Sequence, residues 1–242
     1  MLANYTIDCY KTKRFEEMWQ GIDKLKECVV NPAFQHLRRL KSNAFLYSTY
    51  LPLAMYRELL DTEKGVPFFE RALIAMPKHD MMLKASDKCG IYLAGAALYL
   101  ADKRFDDAIA ILNKVVELKG DTSIGFISAA HILLLLAHYE LGNFELLEYR
   151  CDAVLRFVAK LDDPELPDYF VRGLKKAMMA KSKADRMTIF SRMSDELSAH
   201  FHEGRFVIPQ NSFDVIAWVD SKLEDRTFKQ IVLEKSEIQT VE

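Results

Sequence analysis

Glycine and proline are scarce in this chain of 242 residues, which has nine of the first and seven of the second. Alternation of apolar and polar residues, the mark of a half-buried strand, nowhere continues long enough to predict one. The apolar residues recur instead at helical spacing nearly throughout. The sequence therefore predicts an all-α protein of about ten or eleven helices. No linker is long or polar enough to divide the chain, so residues 1–242 are predicted to form a single domain.

An excess of charge of either sign is also missing. The 33 basic and 35 acidic residues nearly cancel and give a formal net charge of −2. Because a nucleic-acid-binding protein normally has a basic face or stripe, no nucleic-acid partner is predicted. Two local clusters of basic residues are interpreted as solvated helix faces: Arg38, Arg39 and Lys41, and Lys175, Lys176, Lys181 and Lys183.

The four cysteines form no Cys-x-x-Cys motif, and none stands at metal-ligand spacing from a histidine. Spread singly through helical patterns, they are typical of small buried residues in a reducing compartment. Residues 1–20 lack the apolar core of a signal peptide. The longest apolar runs, around 91–101 and 132–137, are far shorter than the roughly 20 residues of a membrane span. The sequence predicts a cytoplasmic protein without a membrane partner.

Motifs that carry catalytic chemistry are absent as well. The sequence contains no phosphate-binding glycine loop, dinucleotide fingerprint or nucleophile elbow. His131 and His138 share one predicted helix but stand roughly 10 Å apart, too far to bind one metal ion. Glu140, Glu145 and Glu148 surround a turn and are interpreted as a solvated rim. No catalytic, cofactor-binding or metal-binding residue is predicted, and an enzyme is not expected.

Residues 92–115 have the residue types and the spacing of a complete helix–turn–helix repeat. Small side chains fall where the two helices cross closely, and aromatic side chains flank the turn. A second, less regular copy occupies residues 134–154 and includes the turn Leu-Gly-Asn-Phe. The repeat-defining residues are Tyr92, Ala96, Tyr99, Phe105 and Ala108 in the first copy and Tyr139, Gly142 and Phe144 in the second. This pattern resembles the tetratricopeptide repeat.

The resemblance implies a right-handed superhelix of antiparallel helix pairs, a tetratricopeptide-like solenoid of the kind that binds protein partners. Some positions depart from the repeat pattern. Gly95 stands where a large aliphatic residue is usual, and Gly120 stands where proline is usual. In the second copy, Leu135 and Leu147 replace the small residues, which is expected to push the paired helices apart.

A second resemblance concerns residues 138–149 and 213–224. Both segments resemble the closing part of longer bacterial helical-repeat proteins to which no activity is assigned. If the likeness holds, this chain corresponds to the C-terminal half of such a protein.

The inner face of the repeats is apolar in this sequence. Tetratricopeptide domains that bind peptide carboxylates carry Lys, Arg and Asn on that face, whereas here it bears Leu93, Ala94, Ala97, Ile132, Leu133 and Leu136. A carboxylate clamp is therefore rejected. Helices that are apolar on all sides are buried on all sides, so the groove must be covered. The favoured cover is residues 212–242, with Phe213, Ile216, Ala217 and Leu223 on one face and Trp218 flanking it; the alternative cover is a partner.

The leading functional hypothesis is a non-catalytic scaffold for a protein or peptide partner of unknown identity. The alternative is a regulatory module that encloses a small apolar ligand or peptide between the inner helices and the C-terminal helix. Aromatic residues expected to be exposed near turns are Tyr5, Tyr10, Phe126, Tyr169 and Phe170. The candidate interaction residues are Leu93, Ala97, Ile132, Leu136, Tyr169, Phe170 and Trp218.

Overall fold

A computed structural model describes residues 2–34, 36–209 and 212–239, and within these ranges it is helical, with no strand. The prediction of an all-α protein is confirmed. The described chain forms twelve α-helices: α1 (Leu2–Lys11), α2 (Phe15–Val30), α3 (Arg38–Glu58), α4 (Thr62–Ala75), α5 (Ala85–Ala101), α6 (Phe105–Glu117), α7 (Ile124–Glu140), α8 (Phe144–Val158), α9 (Glu165–Met179), α10 (Lys183–His202), α11 (Val215–Leu223) and α12 (Phe228–Gln239). Two 3-10 segments, Pro32–Phe34 and Met76–Met82, precede α3 and α5.

Helices that follow one another in the chain pack against one another, from α1 through α12. In the N-terminal half there is a second set of contacts, because α1 packs on α3, α3 on α5 and α5 on α7. Short turns make this packing possible. At two of them Lys103 and Gly142 adopt positive φ angles of 61° and 70°, and α6 and α8 begin two residues later, at Phe105 and Phe144.

The two central helices are α5 and α7. In α5 every residue from Ile91 to Leu100 is buried except the half-buried Tyr92, and in α7 the same holds from Ser128 to His138 except for His131. The sequence prediction that both helices are buried on all sides is confirmed. The inner-face residues predicted for the groove lie in this core, with exposed fractions of 3%, 2%, 0% and 1% for Leu93, Ala97, Ile132 and Leu136.

Gly95 departs from the repeat pattern for a steric reason. A β-carbon at this position would lie 2.2 Å from Cζ of Phe69, so the Phe69 ring occupies the space that the usual aliphatic side chain would fill. Phe69 is fully buried, and its ring packs edge-on against Tyr99 at 5.4 Å between centroids. The aromatic side chain from α4 therefore completes the core of the first repeat copy.

The sequence Asn31-Pro32 predicts a helix start, because a capping side chain precedes a proline whose missing N–H has no cost there; this prediction is wrong. The Asn31 side chain does accept a hydrogen bond, from the backbone N–H of Ala33 at 2.9 Å, but only a single 3-10 turn follows. α3 begins later, at Arg38. A short polar side chain can stabilise an isolated turn as well as a helix N-terminus, and the local sequence is similar in both cases.

The glycine and proline of Gly65-Val66-Pro67 predict a turn. This prediction is also wrong, because all three residues lie inside α4. A β-carbon on Gly65 would lie 2.9 Å from Cδ2 of Leu98 and 2.9 Å from Cβ of Tyr56. Glycine is therefore needed at this position to let α3 and α5 approach α4 closely. The residue allows close packing here and does not end a helix.

The two aspartates and two prolines of residues 162–167 predict a break between helices, but the observed break ends earlier. Leu166 and Pro167 belong to the first turn of α9, which begins at Glu165. Proline is tolerated there because the first N–H groups of a helix have no acceptor within the helix. Thr227 is of the residue type that caps helices, and the sequence predicts that it caps the last one. This prediction is confirmed, since its hydroxyl accepts from the backbone N–H of Gln230 at 3.3 Å.

Candidate functional site

The chain after α10 returns across the helices that precede it. Val207 and Ile208 are buried in the connection, and α11 then buries Val215, Ala217 and Val219. The side chain of Asp214 starts α11 by accepting from the backbone N–H of Ala217 at 2.8 Å. The predicted cover, residues 212–242, continues through α12, and its last residues, 240–242, lie outside the described part of the chain.

Trp218 anchors α11 to α7. Its indole N–H donates to Oε1 of Glu140 at 2.6 Å, and Lys222 forms an ion pair with the same carboxylate. The indole is 3% exposed, and the Lys222 ammonium lies 5.2 Å from its ring centroid. Trp218 is thus central to the contact, whereas the sequence placed it at the flank. The interpretation of Glu140 as part of a solvated rim is wrong.

An aromatic cluster surrounds Trp218. The centroid of its ring lies 5.4 Å from that of Tyr139, 6.4 Å from that of Phe170 and 6.1 Å from that of Phe190, each in an edge-to-face arrangement. Two candidate residues that are 48 positions apart, Phe170 and Trp218, are therefore brought together. Phe170 is fully buried, so the expectation that it is exposed is wrong. It lies on the apolar face of α9, which packs against α8 and α10.

Tyr169, the neighbouring candidate, is half-buried. Its hydroxyl donates to the backbone carbonyl of Arg192 at 3.1 Å. The residue therefore joins α9 to α10. Of the other aromatic residues expected near turns, Tyr5 is 43% exposed, while Tyr10 and Phe126 are half-buried.

An open cleft of about 460 Å³ lies between the end of α3 and the C-terminal segment. Its wall is mostly apolar and includes aromatic side chains from α10, from the connection to α11 and from α12. Ala97 is the one predicted interaction residue that lines it; Leu93, Ile132 and Leu136 do not. The side chains that line the cleft include Arg57, Ala97, Phe201, Phe206, Phe228 and Val232.

Most charged groups in the cleft already have partners. Arg205 donates to Asp163 and to Glu165, both at 2.9 Å, and these bonds raise its pKa. Glu58 pairs with Lys13 at 3.2 Å. Arg57 is half-buried, and the described side chains include no acidic partner for it. The carboxylate of Asp214, which accepts from the backbone N–H of Ala217, also lines the cleft, so its apolar wall carries charges of both signs.

Elsewhere in the structure, burial is the largest cause of the pKa shifts of His79, Cys89, His131, His138 and Cys151. Burial raises the pKa of the Cys151 thiol to about 12 and lowers the pKa of His138, which the positive charge of Arg150 lowers further. His138 Nδ1 lies 3.4 Å from Nδ2 of Asn143, while its Nε2 is buried and has no hydrogen-bond partner among the described residues. Within the described ranges, no three His, Cys, Asp or Glu side chains converge in a way that would hold a metal ion.

Sequence reasoning missed most of the cleft. Arg57 lies far along the chain from Phe201 and Phe206, and no local motif marks it as their neighbour. The only available signal was the run of apolar residues at 206–208, which follows a helix and has no helical continuation.

Comparison with protein-family models, with curated proteins and with solved structures gives no significant match to this chain. Among the described residues, none of the helices combines the length and the apolar character that crossing a bilayer requires.

Proposed function

We propose that the protein is a non-catalytic interaction module, a tetratricopeptide-like right-handed solenoid that binds a protein or peptide partner in the cytoplasm. The contacts of α1 with α3, α3 with α5 and α5 with α7 support the solenoid, because stacked helical hairpins place alternate helices side by side. The near balance of charges argues for a protein partner over a nucleic acid.

The observation that carries this proposal is the open, aromatic-walled cleft. Phe201 is 43% exposed at its edge, and its ring packs edge-on against Phe206 at 5.2 Å between centroids. Exposed aromatic residues beside an apolar depression are the typical anchors of a protein interface. The inner faces of α5 and α7 are buried, so the cleft replaces them as the proposed binding surface.

Affinity capture from the native host tests the proposal with paired baits. The Phe201→Glu bait places a charge in the cleft, and the Tyr149→Glu control places the same charge on α8, where Tyr149 is 70% exposed. We expect wild type and Tyr149→Glu to retain one stoichiometric protein that Phe201→Glu loses. Equal retention of that protein by all three baits would show that it binds outside the cleft. Baits that remain folded and retain no protein would count against an interaction module.

The cleft volume favours a second candidate, a regulatory module for a small apolar ligand. A volume of about 460 Å³ falls within the roughly 300–1,000 Å³ of small-molecule sites. Native mass spectrometry of the chain purified from its host tests this candidate. A bound mass that is present in wild type and absent from Phe201→Glu would support it, and an unliganded wild-type chain would argue against it.

A further inference from the structure

The connections at the two ends of the first helices differ in length. The turns from α1 to α2, from α3 to α4, from α5 to α6 and from α7 to α8 have three residues each. The connections from α2 to α3 and from α4 to α5 are longer and contain the two 3-10 segments. Because helices joined by such short turns run antiparallel, the two longer connections lie together at the opposite end.

The two longer connections are held side by side by the first turns of α3. The hydroxyl of Ser42 donates to the backbone carbonyl of Met82 at 2.8 Å. The ring of Phe45 stacks on that of His79 with 3.9 Å between centroids. Residues 30–41 and 76–84 therefore form one continuous surface, here called the basic edge.

Large apolar side chains are exposed on the basic edge. They are Val30, Phe34, Leu37, Met81 and Met82. Met81 is fully exposed, and Val30 is 73% exposed. Single exposed apolar residues are ordinary, but a group of them in two neighbouring connections marks an interaction surface.

Basic residues are interspersed with these apolar ones. The basic edge includes Arg38, Arg39, Lys41, Lys78 and Lys84. Excluding Arg38, their side chains have no ion-pair partner among the described residues. Asp80 is the one acidic residue in these two ranges, and it forms an ion pair with Lys88. The basic edge therefore has a net positive charge in a chain whose net charge is −2.

Acidic residues on the adjoining helix turns do not cancel this charge. Glu27 lies in the last turn of α2. The carboxylate of Asp87, in the first turn of α5, accepts from the backbone N–H of Lys84 at 3.1 Å. The next connection, residues 118–123, contains one basic and one acidic residue and adds no net charge.

We infer that the basic edge binds the surface of an anionic lipid membrane. Exposed apolar side chains insert between the headgroups, while the surrounding lysines and arginines attract anionic lipids. A protein partner would need a pocket matched to each protruding side chain, whereas lipids accept these side chains in any arrangement. The absence of a membrane partner is predicted from the lack of a spanning segment, and a contact limited to the headgroup layer needs no such segment.

The basic edge and the cleft lie at opposite ends of α3. Arg39 is in the first turn of this helix and Arg57 is in its last turn, about 27 Å away at a rise of 1.5 Å per residue. A bilayer at the basic edge therefore does not cover the cleft. The inference goes beyond the proposed function and does not depend on it.

The test is sedimentation of the full chain with two kinds of vesicle. One kind is phosphatidylcholine with phosphatidylserine as the minor component, and the other is phosphatidylcholine alone. We expect binding to the first to be at least about tenfold tighter than binding to the second, because several basic side chains face the anionic lipid. High salt should release the bound protein, since mobile ions screen exposed charges.

Two pairs of variants separate the basic edge from the rest of the surface, all at exposed positions. Lys78→Gln should weaken binding to the anionic vesicles about fivefold, whereas Lys11→Gln, at the end of α1, should leave it unchanged. Met81→Ser should weaken this binding about tenfold, because an inserted apolar side chain is lost. Met179→Ser, at the end of α9, is its matched control.

Equal binding to the two kinds of vesicle, or equal losses in the variants and their controls, would overturn the inference. So would a chain that is folded by circular dichroism and binds neither kind of vesicle. If, in addition, a Met81→Ser bait lost the captured host protein, the basic edge would be a protein-binding surface. Failure of the proposed function is distinguishable, because Phe201→Glu changes the cleft and should bind the anionic vesicles as wild type does.

Discussion

Gly95 shows how a single missing β-carbon determines local packing. The ring of Phe69 fills the position that an alanine methyl group at residue 95 would need, at 2.2 Å. Gly90 lies in the same helix, yet a β-carbon there would meet only Tyr50, at 3.4 Å. Packing therefore requires glycine at position 95 of α5 but not at position 90.

We predict that Gly95→Ala lowers the free energy of unfolding by about 1–3 kcal/mol, because the Phe69 ring is enclosed and must move. Gly90→Ala is the matched control and should be neutral or stabilising by up to about 1 kcal/mol, since alanine favours the helix. Urea denaturation followed by far-UV circular dichroism measures both variants. If Gly95→Ala were as stable as wild type, the close Phe69 contact would be wrong.

His138 makes stability depend on pH. Burial and the charge of Arg150 lower its pKa in the folded state, so the unfolded chain takes up the proton at a higher pH than the folded one. The stabilisation is complete above the unfolded pKa of about 6.5 and is lost as the pH falls through the folded pKa. The pKa values of His79 and His131 are also lowered by burial, and these residues add to the effect.

We therefore expect the free energy of unfolding to fall between about pH 7 and about pH 5, and to fall less in His138→Gln than in wild type. Urea denaturation at a series of pH values provides the measurement, and the slope is compared so that any constant effect of the substitution cancels. Identical slopes would mean that His138 takes up its proton equally easily in both states.

At the scale of single helices, local sequence signals predicted some turns correctly and some helix boundaries wrongly. The turn before Phe105 and the turn at Gly142 are where the sequence placed them, because positive φ angles and short connections leave local signatures. The turn predicted from Gly65 and Pro67 is wrong because both residue types occur inside helices as well as at their ends. A glycine can end a helix, or it can allow a neighbouring helix to approach closely. Only the side chain that packs against the glycine, here Leu98, distinguishes these two roles.

The Glu140 carboxylate contributes two polar contacts to the attachment of α11 to α7. Glu140 accepts from the Trp218 indole and pairs with Lys222. We predict that Glu140→Ala lowers the free energy of unfolding by about 1–3 kcal/mol, because it leaves the buried indole N–H without an acceptor. Glu140→Gln retains an acceptor and should lose less. The control is Glu145→Ala, at an exposed position beyond the same turn, with an expected change within about 0.5 kcal/mol.

Denaturant unfolding of these three variants provides the comparison. A loss for Glu145→Ala as large as that for Glu140→Ala would show that the substitutions perturb the turn itself and not the attachment of α11.

For the whole molecule, composition and periodicity were sufficient to predict helices and to place α5 and α7 in the core. They could not predict the cleft, since Arg57 and Phe228 come from distant parts of the chain and meet only after the C-terminal segment has folded back. The burial of Phe170 was missed for a related reason. The break predicted at 162–167 makes this helix begin at Tyr169, four residues later than its observed start at Glu165, and so puts Phe170 near a turn.

The buried apolar residues form two clusters of unequal size. A small cluster contributed by α1, α2 and α3 has five buried members, Cys9, Met18, Ile22, Leu51 and Met55, whereas the main cluster includes buried residues from α3 to α11. We predict that amides of α1 and α2 exchange with solvent by local opening, before the global unfolding that exposes α5 and α7. Hydrogen exchange followed by mass spectrometry measures this order. Uniform protection would indicate a single cooperative unit.

The two tryptophans give each end of the molecule its own optical reporter. Trp19 packs edge-on against Phe68 in the N-terminal part, at 6.4 Å between centroids, and Trp218 lies among the rings that hold the C-terminal segment. Replacing either one by phenylalanine leaves a single emitting indole at a known site. The emission of Trp218, next to the Glu140 carboxylate and the Lys222 ammonium, should then respond to detachment of the C-terminal segment while that of Trp19 stays constant. The protein can in this way be observed in solution without an added dye.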